Sequence, residues 1–189
     1  MIQSIYSLKE LHKILENHDK KDKIMLWFDI DLTLIHPNPE NEDQDVLIEP
    51  EITKKLFQYI MDNEIAFSFI TGRFSDTVCN SKTRNLDDIK ENIVETIYPF
   101  FQELGIDISD FLKDDRVEII KSEGGKTVGI IYKGIIFSGN KGSSIKSYAK
   151  TFGFDKTNPL NIFIDDYDLY IRSVAKHLPK TLILKREIP

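Results

Sequence analysis

The sequence predicts an α/β protein with a Rossmann-like, three-layer sandwich architecture and a mainly parallel central sheet. Three short apolar runs, at residues 24–28, 65–70 and 160–164, have the length and composition of buried strands. Segments with helical spacing of apolar residues separate these runs along the chain. Strands that are apolar on both faces need helices on both sides, which is typical of a parallel sheet between two helical layers.

Length and composition narrow the class of protein. The chain has 189 residues, of which 41% are hydrophobic and 30% charged, and this fits one globular domain spanning residues 1–189. The formal net charge of −6 argues against a nucleic-acid partner, because such proteins usually carry a basic face. No apolar run approaches the length of about 20 residues that a membrane span needs.

The single cysteine and the N-terminal segment bear on localisation. Cys79 has no second cysteine to pair with, so we expect a reducing, cytoplasmic compartment. The N-terminal segment lacks the apolar run of a Sec-type signal peptide. Secretion into a host cell by another route stays open.

The first half of the chain predicts two helices around a loop. Ser7 can cap a helix over residues 8–17, in which the apolar residues share one face. Residues 36–47 carry two prolines and many acids, and this composition indicates a loop. Pro50 opens a helix that we expect to end near residue 63.

The middle of the chain changes from helical to strand periodicity. A helix is predicted over residues 85–97, and Pro99 should begin a short separate helix that ends near Gly105. Residues 117–121 and 127–132 predict a β-hairpin that leads into a strand at 135–137.

Two further helices and a last strand complete the prediction. One helix should begin at Ser143 or Ser144 and end at Gly153. Asp168 should cap a helix that ends near residue 177. Residues 181–184 then predict the last strand.

Polar side chains follow the buried strands at the points where these strands end. An acid pair follows the first strand, a hydroxyl and an arginine follow the second, and a second acid pair follows the third. A lysine lies at the start of the helix before the third strand. Because the carboxyl ends of parallel strands form one ligand-binding crevice, we expect these groups to converge. They are Asp29, Asp31, Thr71, Arg73, Lys141, Asp165 and Asp166.

This set of residue types suits phosphoryl chemistry. Four carboxylates in one crevice raise one another's pKa values unless a cation lies among them. Hard oxygen ligands favour Mg²⁺, which commonly uses one or two carboxylates together with substrate phosphate and water. The cation and Lys141 would neutralise a phosphoryl group, and a carboxylate could then attack it. Thr71 and neighbouring backbone N–H groups could hold the transferring oxygens.

The same residues resemble the four motifs of the haloacid dehalogenase (HAD) superfamily, in the order of that superfamily. In chain order, the motifs correspond here to residues 29–33 (DIDLT), residues 71–73 (TGR), Lys141 and residues 165–166 (DD). The resemblance spans about residues 24–184 and implies that Asp29 is the nucleophile and Asp31 the general acid–base. It also implies that Thr71, Gly72 and Lys141 bind phosphate. An aspartate two residues after the nucleophile is typical of the phosphatase branch.

The metal site that this resemblance implies draws on both acid pairs. Asp29, Asp31 through its backbone carbonyl, and Asp165 or Asp166 would bind Mg²⁺. Which acid of the later pair coordinates directly stays open, because Tyr170 stands where many members carry a third acid. Lys146 lies about one helical turn beyond Lys141 and is an alternative to it.

A looser resemblance concerns residues 132–150, YKGIIFSGNKGSSIKSYAK. This stretch is similar to a little-characterised group of bacterial HAD-like proteins that includes secreted phosphatases, some of which act on phosphoproteins. It suggests a phosphoprotein substrate, such as one carrying phosphotyrosine. The alternatives are a phosphotransferase acting on small phosphorylated metabolites and a non-catalytic metal- or phosphate-binding module.

The spacing of the motifs bears on the substrate pocket, because cap insertions between motifs set specificity in this superfamily. Residues 34–70 can hold a flap and one helix, so no large cap fits between the first two motifs. Residues 74–140 are longer, and a small helical and hairpin insertion is expected there as a cap or lid. A relatively open pocket would accept a phosphorylated protein side chain or another bulky phosphomonoester.

Overall fold

A computed structural model of the chain describes residues 1–78, 86–152 and 160–187. The strands are β1 (Ile2–Ile5), β2 (Ile24–Phe28), β3 (Ile35–Asn38), β4 (Asn41–Leu47), β5 (Ala66–Thr71), β6 (Val117–Lys121), β7 (Thr127–Tyr132), β8 (Ile135–Ser138), β9 (Leu160–Asp165) and β10 (Leu182–Arg186). The helices are α1 (Leu8–Glu16), α2 (Pro50–Asp62), α3 (Ser75–Val78), α4 (Leu86–Asn92), α5 (Tyr98–Glu103), α6 (Ser109–Lys113), α7 (Lys141–Phe152) and α8 (Asp168–His177).

Eight strands form the central sheet, in the order β1-β10-β9-β2-β5-β8-β7-β6. The six strands from β1 to β8 in this order run parallel, whereas β7 and β6 continue the sheet as an antiparallel hairpin. The expected α/β class with a mostly parallel sheet is therefore confirmed. β3 and β4 form a separate two-stranded hairpin.

Strand β2 shows why the sheet carries helices on both faces. All five of its residues are buried, and alternate side chains enter different clusters. Leu26 and Phe28 pack in the cluster that contains Leu56 and Phe57 of α2. Met25 and Trp27 pack in the cluster with side chains of α7 and α8. Each large apolar side chain buried in this way contributes about 1.5–3 kcal/mol to the hydrophobic free energy.

Several predicted elements are confirmed with small changes of boundary. The predicted cap of α1 is present as a capping box, in which Ser7 and Glu10 bond each other's backbone N–H groups. Helix α2, the β6–β7 hairpin, β8 and β9 lie where the periodicity places them. Helix α7 begins at Lys141 rather than at Ser143 or Ser144, because Asn140 Oδ1 accepts from the Ser143 N–H and caps the first turn.

The prediction of a loop over residues 36–47 is wrong, since these residues form the β3–β4 hairpin. Ile35 pairs with Leu47 and His36 with Val46, and the ladder shifts register between Pro37 and Asn38. A proline is tolerated in a two-stranded ribbon because each strand has one edge that donates no ladder hydrogen bond. The acids that suggested a loop lie on β4 and in the turn before it.

Three other expectations need correction. Pro99 does not begin a separate helix, because α4 continues through a π-helical turn (Ile93–Ile97) into α5. The wider winding of that turn accommodates a residue without an N–H. Asp168 does not cap α8: Tyr167 takes the N-cap position with no side-chain cap bond, and the Asp168 carboxylate pairs with Lys185 at 3.2 Å.

The short strand β1 and the helices α3 and α6 were not predicted, and the last strand begins one residue later than expected. Cys79 and Gly153 lie outside the described residues.

The insertion between residues 74 and 140 is packed onto the body of the protein in its described parts. Strand β7 pairs with β8, so the β6–β7 hairpin extends the central sheet. Phe101 of α5 is buried and stacks on Phe69 of β5 at a ring-centroid distance of 4.3 Å. Over the described stretches of the chain, no helix is both long and apolar enough to cross a membrane.

Candidate active site

The sheet order creates a crevice at the carboxyl ends of β2 and β9. From β2 the chain moves to β5 on one side, whereas from β9 it moves to β10 on the other side. Such a reversal opens a gap beyond the strand ends, which is where ligands bind in open α/β sheets. The Asp29 N–H donates to the Ile164 carbonyl at 3.0 Å, so the residues that follow the two strands are held side by side.

Three carboxylates meet in this crevice. Oxygens of Asp29, Asp165 and Asp166 lie within 4.8 Å of one another. Asp29 is 4% exposed and Asp165 is fully buried, whereas Asp166 is half-buried. We call these three residues the Asp triad. The convergence of the two predicted acid pairs thus holds for Asp29 and for both members of the later pair.

Lys141 lies fully buried against the Asp triad. Its Nζ donates to Asp165 Oδ2 at 2.7 Å and also to Asp29 Oδ1. Its ammonium lies 4.3 Å from the centre of the Tyr170 ring. Lys146 instead pairs with Glu123 at 3.6 Å on the surface, and 47% of its side chain is exposed. Of the two candidate lysines, Lys141 is the one at the crevice.

The electrostatics of the Asp triad are unbalanced. Burial raises the pKa of Asp29 to about 7, and although Lys141 opposes this shift, Asp165 adds to it. Burial likewise raises the pKa values of Asp165 and Asp166. Burial alone would lower the pKa of Lys141, but the attraction of Asp29 and Asp165 outweighs it and the pKa lies above its ordinary value.

The charges in the crevice do not balance when all its acids are ionised. Three carboxylates and one ammonium would then have a net charge of two negative units. Hard oxygen donors with this charge match a divalent cation such as Mg²⁺, whose binding would favour the ionised carboxylates. The Asp triad therefore could hold a metal ion.

Asp31 lies beside the triad but its carboxylate is turned towards Arg73. Arg73 Nε donates to Asp31 Oδ1 at 2.8 Å and to Oδ2 at 3.0 Å, and Nη2 also donates to Oδ1. The Thr71 hydroxyl lies 3.2 Å from Asp31 Oδ2. The carboxylate of Asp31 is thus not one of the triad's oxygen donors, and the resemblance assigns the backbone carbonyl of Asp31, not this carboxylate, to the metal.

Thr33 and Tyr170 contact the site residues but were not predicted to belong to the site. The Thr33 hydroxyl donates to Asp29 Oδ2 at 3.2 Å, so both Asp29 oxygens have partners. Tyr170 packs its hydroxyl against Gly72, where a Cβ would lie 2.3 Å from that oxygen. Only glycine fits at position 72 without displacing Tyr170. Thr33 lies within the first motif and Tyr170 stands four residues after Asp166, so both could have been found from their positions relative to the motifs.

Two further partners of Arg73 were also missed. Arg73 Nη2 donates to Asp45 Oδ2 at 3.1 Å and Nη1 donates to Asn92 Oδ1 at 3.0 Å. Asp45 lies on β4, within the segment predicted to be a loop, and Asn92 ends α4. No sequence signal connects these residues with Arg73.

A pocket of about 210 Å³ lies over the site. Its mouth carries two exposed apolar groups, Leu32 and Tyr167, which are 39% and 54% exposed. Leu32 has a backbone φ of 56°, a left-handed conformation that is uncommon for leucine. The pocket is lined by Asp29, Asp31, Leu32, Gly72, Arg73, Asp165, Asp166, Tyr167 and Tyr170.

A larger cavity of about 610 Å³ lies elsewhere, near the amino ends of β5 and β8. Its lining is mostly apolar, with Phe67, Phe69 and Phe101 among its residues. The Asp triad does not line it, and titratable groups converge in the smaller pocket, which is therefore the candidate functional site.

Comparisons with known proteins add no family assignment. Neither a protein-family model, nor a curated protein, nor a solved structure matches this chain.

Proposed function

We propose that this chain is a Mg²⁺-dependent phosphomonoester hydrolase in which Asp29 is the nucleophile. The observation that carries the proposal is the arrangement at the crevice, where Lys141 bridges two carboxylates of a triad at the topological switch point. The resemblance to the HAD superfamily supports the same roles. A structural ion pair would not need a third acid beside it.

The residues present suit Mg²⁺. Asp29, Asp165 and Asp166 supply hard oxygen donors close together, and the net negative charge around Lys141 calls for a divalent cation. Asp29 and one or both acids of the later pair would hold it, with the Asp31 carbonyl as a further ligand. When bound, Mg²⁺ would supply positive charge that offsets the carboxylates and the substrate's phosphoryl oxygens.

In the first step, an oxygen of Asp29 attacks phosphorus and the bond to the leaving oxygen breaks. The carboxyl of Asp31 gives its proton to that oxygen, so the product leaves as an alcohol. Lys141, Thr71 and the backbone at Gly72 bind the phosphoryl oxygens during the transfer. Asp29 then carries the phosphoryl group as an aspartyl phosphate.

In the second step, Asp31 takes a proton from water, and the oxygen of that water attacks the same phosphorus. Inorganic phosphate leaves and the Asp29 carboxylate is restored. An alcohol in place of water would give a phosphotransferase with the same residues. Because Asp31 must donate a proton and then accept one, it needs a site beside Asp29 but apart from the metal ligands, which is where its carboxylate lies.

The mouth of the pocket supports a bulky substrate. Leu32 and Tyr167 expose apolar surface next to the Asp triad, and Tyr167 packs edge-on against Tyr170 at 5.3 Å between ring centres. In the described part of the 74–140 insertion, β7 pairs with β8 and Phe101 stacks on Phe69, and none of its residues lines this pocket. A phosphorylated protein side chain, such as phosphotyrosine, would therefore reach the triad.

The test is hydrolysis of an aryl phosphate with and without Mg²⁺, for the natural protein and the Asp29→Asn variant. We expect turnover that requires Mg²⁺ and that falls about 10⁴-fold or more in the variant, because the nucleophile is lost. Asp62→Asn, a substitution of an exposed aspartate on α2, is the matched control and should keep full activity. Equal turnover by Asp29→Asn would contradict the proposal.

The second candidate is a non-catalytic module that binds a metal or a phosphate. It is favoured by one observation, namely that both Asp31 oxygens are occupied by Arg73. A binding module should bind Mg²⁺ and a phosphoryl-mimicking fluoride equally well with Asp31→Asn, and it should show no turnover. An enzyme should lose about 10²–10⁴-fold in kcat with the same substitution, whatever the leaving group, because Asp31 also takes the proton from water in the second step.

A further inference from the structure

Arg73 is the centre of a side-chain network at the edge of the pocket. Its guanidinium binds both oxygens of Asp31, and the same group also reaches Asp45 and Asn92. Only 17% of the side chain is exposed, and its backbone N–H donates to the Thr71 hydroxyl at 3.0 Å. The planar fork of an arginine suits this geometry, whereas the single nitrogen of a lysine lacks the spread of donors that reaches Asp31, Asp45 and Asn92 together.

The partners of Arg73 come from separate parts of the chain. Asp31 follows β2, Asp45 lies on β4 of the hairpin, and Asn92 lies in the insertion that follows the second motif. Through Arg73, the orientation of the Asp31 carboxylate depends on the position of two segments that lie outside the motifs.

We infer that Arg73 is a positioning residue, which orients Asp31 for proton transfer and couples that orientation to the β3–β4 hairpin and to α4. The inference rests on the proposed function, because it concerns the step in which Asp31 protonates the leaving oxygen. In the structure Arg73 occupies both Asp31 oxygens, so one must be released when substrate enters. The contacts with Asp45 and Asn92 keep the guanidinium in place while this happens.

Substrates with different leaving groups can show whether Arg73 acts by positioning Asp31 or by binding the phosphoryl group. An alkyl phosphate has a poor leaving group that needs a proton, whereas 4-nitrophenyl phosphate has a good one that needs little help. We expect Arg73→Gln to lower kcat/KM about a hundredfold for glycerol phosphate but no more than about threefold for 4-nitrophenyl phosphate. Asp31→Asn should show the same pattern in kcat/KM, which reports the transfer to Asp29 and not the later attack of water, and the kcat/KM of the double variant should fall little further than that of either single variant.

The coupling to the hairpin is tested with Asp45→Asn and Asn92→Ala. Each should lower kcat/KM for glycerol phosphate only about three- to tenfold, because Arg73 keeps its contact with Asp31 in both variants. Hydrolysis of 4-nitrophenyl phosphate should stay nearly unchanged, because its leaving group needs little protonation. Glu40→Gln removes a charge from the exposed turn of the same hairpin and is the matched control, with no expected effect on either substrate. Circular dichroism and thermal melting of each variant show whether it is folded.

The outcomes are distinguishable. Equal losses on both substrates, or a rise in KM without a change in kcat, would mean that Arg73 binds the phosphoryl group and would overturn the inference. Additive losses in the double variant would overturn it as well. If Arg73→Gln is unfolded, the selectivity of Asp45→Asn decides in its place. No turnover of either substrate by the natural protein would instead refute the proposed function, and the inference would fall with it.

Discussion

Two lysines of this protein are buried to the same extent in very different surroundings. The side chains of Lys133 and Lys141 are both fully buried. Lys133 Nζ donates to the Leu112 and Asp114 carbonyls at 2.7 and 3.0 Å and to the carboxylate of Asp115 at 2.7 Å. Its three N–H groups thus meet three acceptors, of which only one is charged.

Lys141 meets an excess of negative charge instead. It binds two carboxylates, with a third acid in reach of them, and this surplus comes from side chains that are themselves buried. The hydrogen bond from Lys133 lowers the pKa of Asp115, which is largely exposed, whereas burial raises that of Asp29 to about 7. A buried lysine alone is therefore no mark of a functional site, but buried acids that outnumber their cations are.

Of the replacements of Lys141, Lys133 and Lys146, that of Lys141 should have the largest effect. With Mg²⁺ present, we expect Lys141→Met to lower kcat about 10²–10³-fold, because a charged donor to the phosphoryl oxygens is lost. The measurement is aryl phosphate turnover at saturating substrate, with folding checked by circular dichroism. Activity within twofold of the natural protein would place Lys141 with Lys133 as a structural lysine.

The second largest effect is expected in the pH dependence of stability, because the acids around Lys141 have raised pKa values, whereas the pKa of Asp115 beside Lys133 is lowered. The pKa of Asp29 is raised from 3.8 to about 7 in the folded protein, so without metal the folded state holds a proton that the unfolded state has lost. The stability that this provides is complete below pH 4 and is lost as the pH rises to about 7. In EDTA, the fall in melting temperature between pH 5 and pH 8 should be larger for the natural protein than for Asp29→Asn.

The same experiment with Mg²⁺ gives the opposite trend. The cation competes with protons, so it should raise the melting temperature more at pH 8 than at pH 5. An equal rise at both pH values, or the same rise in Asp29→Asn, would show that the cation binds somewhere other than the triad.

Replacing Lys133 should affect stability without affecting catalysis. Lys133→Met leaves two carbonyls without a donor and should lower the free energy of unfolding by about 2 kcal/mol. Urea denaturation measures this loss, and kcat/KM should stay within about twofold at a temperature where the variant is folded. A loss of activity without a loss of stability would mean that Lys133 is not a purely structural lysine.

The smallest effect is expected for Lys146, the alternative to Lys141 at the sequence level. Its ammonium pairs with Glu123 at 3.6 Å on the surface, and such exposed pairs contribute roughly 0–1 kcal/mol. Lys146→Met should therefore keep both activity and melting temperature close to those of the natural protein. A loss of turnover comparable to that of Lys141→Met would reverse the assignment of the site lysine.

Much of the fold could be predicted because its central strands are mostly apolar. β2 is apolar throughout and β9 carries one asparagine within its apolar run, and the acids that follow these runs could be placed at one edge of the sheet from the sequence alone. The β3–β4 hairpin could not be predicted in this way, since its residues are acidic and include Pro37. Its stability comes from the pairing of the two strands and from the burial of Ile35 and Leu47, and composition records neither.

The acids of the site and its two candidate lysines could be predicted, but the orientation of each side chain and the distant partners of Arg73 could not. Lys141 and Lys146 lie on one helix, and choosing between them requires knowing how that helix turns towards the crevice. The grip of Arg73 on Asp31 depends on Asp45 and Asn92, which are distant in sequence and have no recognisable spacing. Contacts of this kind are decided by the packing of whole elements.

β2 lies between two strands that the ribosome produces at very different times. Its partner β5 follows 41 positions later, from Met25 to Ala66, but its other partner β9 follows 136 positions later, from Ile24 to Leu160. During synthesis, the edge of β2 that pairs with β9 stays unpaired until the ribosome has produced β9. Such an edge invites aggregation and is the kind of surface that chaperones cover. Asp29 gains Asp165 and Asp166 as neighbours only when β9 enters the sheet, so the Asp triad is among the last parts of the nascent protein to form.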